Sequence, residues 1–262
     1  MKLSVSALFF LMILAQQVQA SIVILNGLSH VHEVPQGETR VQGVIRVKNQ
    51  GSKDSRILVY GQDITGECGK AITYAPPASH PRSLGPALKT NVDERNITPE
   101  EEYELRYTIE LTKLHSEPGT YWEVLMVEVA EPIREEAREG VQVNSKIRYA
   151  IQVIVHVGAV ESPQLSYENV EFTKVDKQHN LLKVSLKNKS LFGTRASMIL
   201  EVYDVVGKKV KATEPSNRML YPGYCSTFEI PLDDLPKGKY DCVIIADTQK
   251  DLFGSNVSLQ IE

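Results

Sequence analysis

The sequence VQVNSKIRYAIQVIVHV, residues Val141–Val157, decides the fold of this chain. Apolar side chains occupy every second position along it, with Ser145 as the one polar interruption: Val141, Val143, Ile147, Tyr149, Ile151, Val153, Val155 and Val157. A two-residue period places one row of side chains on one face of a β-strand. The sequence therefore predicts a single strand of 17 residues, where strands usually have about 3–10. We expect this strand to close one β-domain and to lead into a second.

Shorter β patterns fill the chain on both sides of this stretch. Tyr103–Leu111 alternates most cleanly, with apolar side chains on one face and mainly charged ones on the other. Turn signals such as Asn49-Gln50-Gly51 and Pro118-Gly119 separate these segments. About seven short strands in each half, spaced by roughly 8–12 residues, are typical of β-sandwiches. The predicted fold class is all-β, with two tandem immunoglobulin-like β-sandwich domains.

An internal echo supports two copies of one fold. In each half a Lys-Asn pair ends an early strand and a Gly-x-Tyr sequence opens a late one: Lys48-Asn49 and Gly119-Thr120-Tyr121, then Lys187-Asn188 and Gly238-Lys239-Tyr240. A tyrosine that opens a late strand, two residues before Cys242, is also the sequence form of a tyrosine corner. We therefore expect the two halves to be built alike.

The first twenty residues have the pattern of a secretory signal peptide. An apolar core, Leu3–Ala15, precedes Val18-Gln19-Ala20, which predicts cleavage before Ser21. This core has 13 residues, whereas a membrane-spanning helix needs about 20. We therefore expect an exported protein, in the periplasm or on the cell surface, with no membrane span in the mature chain. The predicted division is residues 1–20 signal peptide, 21–158 N-terminal domain and 159–262 C-terminal domain.

The composition argues against several classes of function. The formal net charge is −4, and no basic stripe indicates nucleic-acid binding. The nucleophile elbow, the phosphate-binding loop and the common zinc motifs are missing from the sequence, so we expect no enzyme, cofactor or metal site. Three cysteines are too few for a disulfide scaffold. A Cys225–Cys242 pair, which would leave Cys68 unpaired, stays open.

Four segments of the N-terminal half resemble, in their order and spacing, the periplasmic chaperones of chaperone–usher pili. They are VIRVKNQGSKDSRILVYGQD at 44–63, ITPEEEYELRYTIEL at 97–111, GTYWEVLMVEV at 119–129 and VQVNSKIRY at 141–149. The similarity covers roughly residues 22–157, and this chain would be a divergent member. The resemblance implies two immunoglobulin-like domains, in agreement with the pattern of strands.

The resemblance also implies a mechanism. Chaperones of this family lend apolar side chains of a donor strand to a pilin-like subunit that lacks one strand of its own, which is a form of strand addition. Matched by position, the donor strand is Val141–Val157 and the donated row is Val141, Val143 and Ile147. The expected partners are then a pilin-like subunit and an outer-membrane usher.

Family members also hold the terminal carboxylate of the subunit with two basic residues. Arg148 matches the last-strand position, and arginine binds carboxylates well. The first-strand position departs from the pattern, because no Arg or Lys lies between Ser21 and Glu38. Spacing points instead to His32, a weaker and pH-dependent cation. Arg148 and His32 are therefore the candidate carboxylate anchors.

The residues alone leave two other interpretations open. The row Val141–Ile147 also fits a strand that faces the core of its own domain. In that case the chain would be a structural or adhesive surface protein of tandem immunoglobulin-like domains without chaperone activity. A third interpretation is a module that binds a ligand in the cleft between the domains. The charged run Glu131–Glu139 fits a solvated loop or one to two helical turns.

Overall fold

A computed structural model describes residues 21–114, 117–130, 133–134, 144–174, 180–233 and 235–261. Within these residues the chain is nearly all β, and one 3-10 turn, Leu111–Lys113, is the only helical element described. No helix in these ranges has the length and apolarity that a membrane span requires. The predicted signal peptide lies outside the described residues, as do most of Glu131–Glu139. The predicted all-β fold is confirmed.

The N-terminal sandwich contains twelve strands: β1 Ile22–Ile24, β2 Ser29–Val34, β3 Arg40–Asn49, β4 Ser55–Thr65, β5 Thr73–Ala75, β6 Leu88–Thr90, β7 Glu94–Ile97, β8 Glu102–Glu110, β9 Gly119–Val129, β10 Ile133–Arg134, β11 Asn144–Ser145 and β12 Arg148–Val157. Sheet A has the order β1-β3-β8-β6. Sheet B has the order β2-β12-β9-β4-β5, with β7 paired to β4, and β10 with β11 forms a small hairpin.

The C-terminal sandwich contains eight strands: β13 Leu165–Lys174, β14 Asn180–Asn188, β15 Thr194–Tyr203, β16 Lys209–Ala212, β17 Ser216–Leu220, β18 Cys225–Pro231, β19 Gly238–Asp247 and β20 Leu252–Ile261. Sheet C has the order β13-β14-β18. Sheet D has the order β16-β15-β19-β20, with β17 paired to β15. Each sandwich encloses its own cluster of buried apolar side chains, as the alternating strands require.

The prediction of one uninterrupted strand from Val141 to Val157 is wrong. Strand β12 starts at Arg148, and Asn144–Ser145 forms a separate strand paired with Ile133–Arg134. The physical reason is a change of register. The β9–β12 pairing, continued past Arg148–Glu128, would place Ile133 opposite Val143, but Ile133 pairs with Ser145.

The repeated Lys-Asn pattern has a structural cause: Asn49 and Asn188 are both fully buried, and their side chains make equivalent hydrogen bonds to the main chain. In each sandwich the amide nitrogen donates to two main-chain carbonyls, one of them four residues later. The side-chain oxygen accepts the N–H two residues later. The partners are Lys53, Ile97 and Gly51 for Asn49, and Phe192, Leu220 and Ser190 for Asn188.

The tyrosine corner is confirmed, and it occurs twice. The Tyr240 hydroxyl donates to the carbonyl of Pro236 at 2.8 Å, and the Tyr121 hydroxyl donates to the carbonyl of Glu117 at 3.0 Å. Both bonds reach back four residues at the start of a late strand. The two sandwiches are therefore repeats at the level of individual hydrogen bonds.

Replacing Asn49 or Asn188 with alanine should destabilise the protein, because buried main-chain groups would lose their partners. The expected loss is about 1–3 kcal/mol for each variant, measured by urea unfolding. The matched control is Asn256→Ala, at an exposed position on β20, which should stay within about 0.5 kcal/mol of the parent. Losses no larger than that of the control would contradict the role of the buried amides.

Candidate functional site

Strand β12 is paired along its whole length on one side but only partly on the other. All ten residues Arg148–Val157 pair with β9. On the opposite side, β2 runs parallel to β12 and pairs only with Gln152–Val157. Within the described residues no strand pairs with that side of Arg148–Ile151. These four residues therefore form an open edge of sheet B, and the open edge leads back toward Ile147.

The two faces of β12 have different surroundings. Ile151, Val153 and Val155 are fully buried in the core of the N-terminal sandwich. Ile154 points to the opposite face, where it joins an apolar cluster that includes Tyr221 of the C-terminal sandwich. The second half of β12 is thus an internal strand that is covered on both faces.

The structure places one of the three predicted donor residues. Ile147 is half-buried, packs against the edge of the N-terminal core, and its carbonyl accepts the N–H of Val129 at 3.0 Å. Val141 and Val143 lie outside the described residues. Tyr149 continues the row beyond Ile147 and donates a hydrogen bond to the carbonyl of Ile22. The donor role of the row stays a prediction.

Arg148, at the start of the open edge, belongs to a charged cluster on the outer face of sheet B. Its Nη2 lies 2.7 Å and its Nε 2.9 Å from Glu128 Oε2. The Tyr60 hydroxyl donates to the same carboxylate at 2.8 Å, and Lys146 Nζ lies 3.0 Å from it. Tyr60 first, then Lys146 and Arg148, lower the pKa of Glu128 to about 2. The Arg148 side chain is still 47% exposed.

His32 points into the sandwich instead. Its Nε2 lies 2.8 Å from the hydroxyl of buried Tyr107, and the His30 ring also meets the Tyr107 ring edge-on. Burial, and then the neighbouring His30, lower the pKa of His32. At neutral pH His32 is therefore an uncharged hydrogen-bonding group.

The two candidate anchors do not meet. His32 is paired with Val155, seven residues along β12 from Arg148, a separation of roughly 23 Å along a parallel strand. They also lie on opposite faces of sheet B. Arg148 and His32 therefore cannot bind the same carboxylate, and each remains a candidate anchor only on its own.

The sandwiches meet through an aromatic stack that the sequence did not predict. Trp122 of β9 lies between His80 and Tyr221, with ring centroids at 4.3 Å and 4.7 Å, and Tyr224 meets its edge at 5.5 Å. Trp122, Val124 and Met126 of β9 pack on this side, while the apolar odd-numbered side chains of the strand fill the core. Simple alternation therefore misses this surface, because β9 is apolar on both faces.

A disulfide joins the sandwiches beside this stack. Cys225, the first residue of β18, is bonded to Cys68 in the β4–β5 loop, with the two Cα atoms 4.9 Å apart. The Cys225–Cys242 pair that the sequence left open does not form, since Cys242 is free and buried in the core of the C-terminal sandwich. The sequence contains no local pattern that predicts the Cys68–Cys225 bond, because 157 residues separate the two cysteines.

A buried acid lies at the same end of the N-terminal sandwich. Glu123 is 2% exposed and packs against Gly61, where a Cβ would lie 1.9 Å from its Oε1 and would force the carboxylate to move. Burial, and then the Asp63 carboxylate, raise the pKa of Glu123 to about 8. Asp63 already accepts hydrogen bonds from the Ser83 hydroxyl and the Ser79 N–H.

Comparison with known proteins adds a likeness of fold. No protein-family model matches the chain, and no curated protein is significantly similar to it. The structure is similar to a chain of the CsuC–CsuE chaperone–tip adhesion subunit pre-assembly complex from archaic chaperone–usher Csu pili of Acinetobacter baumannii. The TM-score is 0.51 at 12% identity, covering 90% of this chain and 98% of that chain.

Two further solved structures show lower similarity. They are the YadV chaperone (TM-score 0.46, 12% identity, 92% of this chain and 100% of that one) and the class 5 fimbriae chaperone CfaA (TM-score 0.44, 12% identity, 92% and 99%). At such identities the comparison with the Csu complex establishes a shared two-sandwich fold across nearly the whole chain. The resemblance stated from the sequence is confirmed at that level.

Glu123 should make the stability of the fold depend on pH. Because its pKa is raised in the folded chain from 4.5 to about 8, the folded state binds this proton more tightly than the unfolded state. Stability should therefore fall as pH rises through this window, by at most about 1.4 kcal/mol per pH unit. Thermal unfolding of Glu123→Gln should show a weaker pH dependence and its largest gain over the parent at pH 8.

The control for this prediction is Glu214→Gln, at an exposed position, which should keep the parental pH profile. A Glu123→Gln profile that follows the parent across the window would show that Glu123 titrates normally in the folded chain.

Proposed function

We propose that this chain, which has the two-sandwich fold found in the chaperones of chaperone–usher pili, binds a pilin-like subunit by donor-strand complementation. The observation that carries the proposal is the open edge at Arg148–Ile151. A strand of the partner can hydrogen-bond to this edge and extend sheet B. The segment directly upstream, Val141–Ile147, supplies the apolar row that enters the groove of the partner.

The energy available from this row is substantial. Full burial of one Val or Ile side chain contributes about 1.5–3 kcal/mol. Val141, Val143 and Ile147 together therefore supply several kcal/mol before the cost of ordering is subtracted. A folded domain is usually stable by only about 5–15 kcal/mol, so such a contribution is enough to protect an incomplete domain.

The function is proposed to take place after export. The signal sequence before Ser21 directs the chain out of the cytoplasm, and the periplasm is the compartment in which a pilin-like subunit and an outer-membrane usher would be met. No catalytic step and no cofactor belong to this proposal.

One observation favours the second candidate, a structural or adhesive protein. Ile151, Val153 and Val155 are sealed in their own core, and Gln152–Val157 has a neighbouring strand on each side. The C-terminal half of Val141–Val157 therefore has no apolar side chains available for a partner. The proposal depends on the part that precedes Gln152.

Charged substitutions in the donor row should separate the two candidates. Val143→Asp and Ile147→Asp should each abolish capture of a co-expressed pilin-like subunit that lacks one strand, because a buried carboxylate opposes insertion. Far-UV circular dichroism and thermal unfolding should show a folded chain in both cases. The matched control is Val205→Asp, at a side chain that is 79% exposed on the C-terminal sandwich, and it should capture the subunit normally.

Two results would refute donor-strand binding. In one, folded Val143→Asp and Ile147→Asp proteins capture the subunit as well as the control does. In the other, both substitutions unfold the chain, which would place the row in its own core and support the structural role.

Arg148 provides a second test, as the anchor for the terminal carboxylate of the subunit. Two of its N–H groups face Glu128, and a guanidinium has five, so donors remain for a partner. Arg148→Ala should weaken binding by about 10- to 100-fold, since a hydrogen bond to a charged group contributes about 1.5–3 kcal/mol. Arg46→Ala, at an exposed arginine that is ion-paired with Glu102 on sheet A, is the matched control and should change little.

If Arg148 binds the terminal carboxylate, the losses of binding energy caused by Arg148→Ala and by amidation of that carboxyl group should not add. Calorimetry should measure the binding of the parent and of Arg148→Ala to subunits that end in a free or an amidated carboxyl group. Amidation should weaken binding to the parent and leave binding to Arg148→Ala nearly unchanged. Equal losses on amidation for both proteins would show that Arg148 does not contact the carboxylate.

A further inference from the structure

The contact between the sandwiches has one covalent link. Cys68 lies at an exposed position of the β4–β5 loop, and Cys225 is 5% exposed at the start of β18. Gly66, two residues before Cys68, packs so closely that a Cβ there would lie 3.0 Å from the carbonyl oxygen of Cys225. The loop therefore lies flat on the C-terminal sandwich at the point where the disulfide ties it down.

The non-covalent part of this contact is incompletely satisfied. Trp122, Tyr221 and His80 stack over one another, which favours association. However, Trp122 Nε1 and the Tyr221 hydroxyl are buried without a hydrogen-bond partner among the described residues, whereas His80 Nε2 lies 3.5 Å from Asp63 Oδ1. Burial of an unpaired polar group costs about 1–3 kcal/mol. These two groups offset part of the energy that stacking and apolar burial supply at this contact, so the covalent link adds stability where the non-covalent contact is weakened.

A second set of contacts between the sandwiches, centred on Thr120, can act as the axis about which they turn. The N–H of Thr120 donates to the carbonyl of Leu191 at 3.0 Å, and the Thr120 hydroxyl accepts the N–H of Gly193 at 2.7 Å. His156 lies 2.6 Å from the same hydroxyl. These groups are paired, so this side of the contact needs no disulfide to stay closed.

We propose that the Cys68–Cys225 disulfide is a redox-controlled clamp on the angle between the two sandwiches. While the bond is present, the stack around Trp122 stays closed. When the bond is reduced, the sandwiches turn about the Thr120 contacts and the stack opens to water. The clamp does not depend on the proposed function, although its state sets the geometry of the cleft between the sandwiches.

The chemistry of the clamp is thiol–disulfide exchange with a dithiol, either a small molecule or an oxidoreductase. A thiolate of the dithiol attacks the sulfur of Cys68, the residue at the exposed position, the Cys68–Cys225 bond breaks, and Cys225 leaves as a thiolate that takes up a proton. The second thiol of the reductant then attacks the mixed disulfide and releases Cys68 as a thiol. Two electrons and two protons pass to the protein, and the dithiol becomes a disulfide. Closure is the reverse reaction with a disulfide as the oxidant.

Trp122 reports on the clamp directly, because it is the single tryptophan of the sequence. We expect reduction of the full chain by dithiothreitol to shift the Trp122 emission to longer wavelength and to increase its quenching by acrylamide severalfold. Cys68→Ser should show the same change without reductant, and far-UV circular dichroism should not change. The matched control is Cys242→Ser, at a thiol outside the disulfide, which should respond to reductant as the parent does.

Alkylation of the reduced chain separates opening of the clamp from unfolding. Cys68 and Cys225 should react with iodoacetamide, whereas Cys242 should stay protected in the core of the C-terminal sandwich. Reaction of all three thiols at similar rates would overturn the proposal, because the disulfide would then support folding as a whole. Unchanged quenching of Trp122 in the reduced chain and in Cys68→Ser would also overturn it, because the stack would stay closed without the bond.

Discussion

The pairing of β12 is the constraint on which the rest of the structure depends. The β9 side of β12 is satisfied over all ten residues, while β2 covers only Gln152–Val157. The covered half can therefore be a core strand, with Val153 and Val155 fully buried. In the part of the chain that the structure describes, no strand covers the other half, Arg148–Ile151. One segment of chain thus closes its own domain, and its open edge is where we propose that a partner strand binds.

The charged cluster at the start of β12 marks the position where the chain passes from the upstream segment into β12. Glu128 gathers the Tyr60 hydroxyl, Lys146 and Arg148, and so it holds the chain on both sides of Ile147. The register shift that ends the β9–β12 ladder follows at once. This cluster fixes the position of Lys146 and Arg148 but leaves the open edge at Arg148–Ile151 uncovered.

Alternation in the sequence was enough to predict the sandwiches and some of their details. Tyr103–Leu111 became β8, Glu102–Glu110, and the repeated Lys-Asn and Gly-x-Tyr patterns marked buried hydrogen-bond networks that occur once in each sandwich. Predictions failed where distant parts of the chain decide the outcome. A two-residue period cannot show a change of register, and it cannot show which loop reaches Cys225. Strand β9 was predicted but its second buried face was not, since Trp122 is covered by Tyr221 from the other sandwich.

Amide hydrogen exchange at the open edge tests the central claim most directly. We expect the amides of Arg148–Ile151 that do not bond to β9 to exchange quickly in the free chain. In a complex with a pilin-like subunit that lacks one strand they should exchange slowly, while the amides of Gln152–Val157 are protected in both states. Slow exchange at Arg148–Ile151 in the free chain, or exchange there that the subunit does not change, would show that this edge does not receive a strand of the subunit.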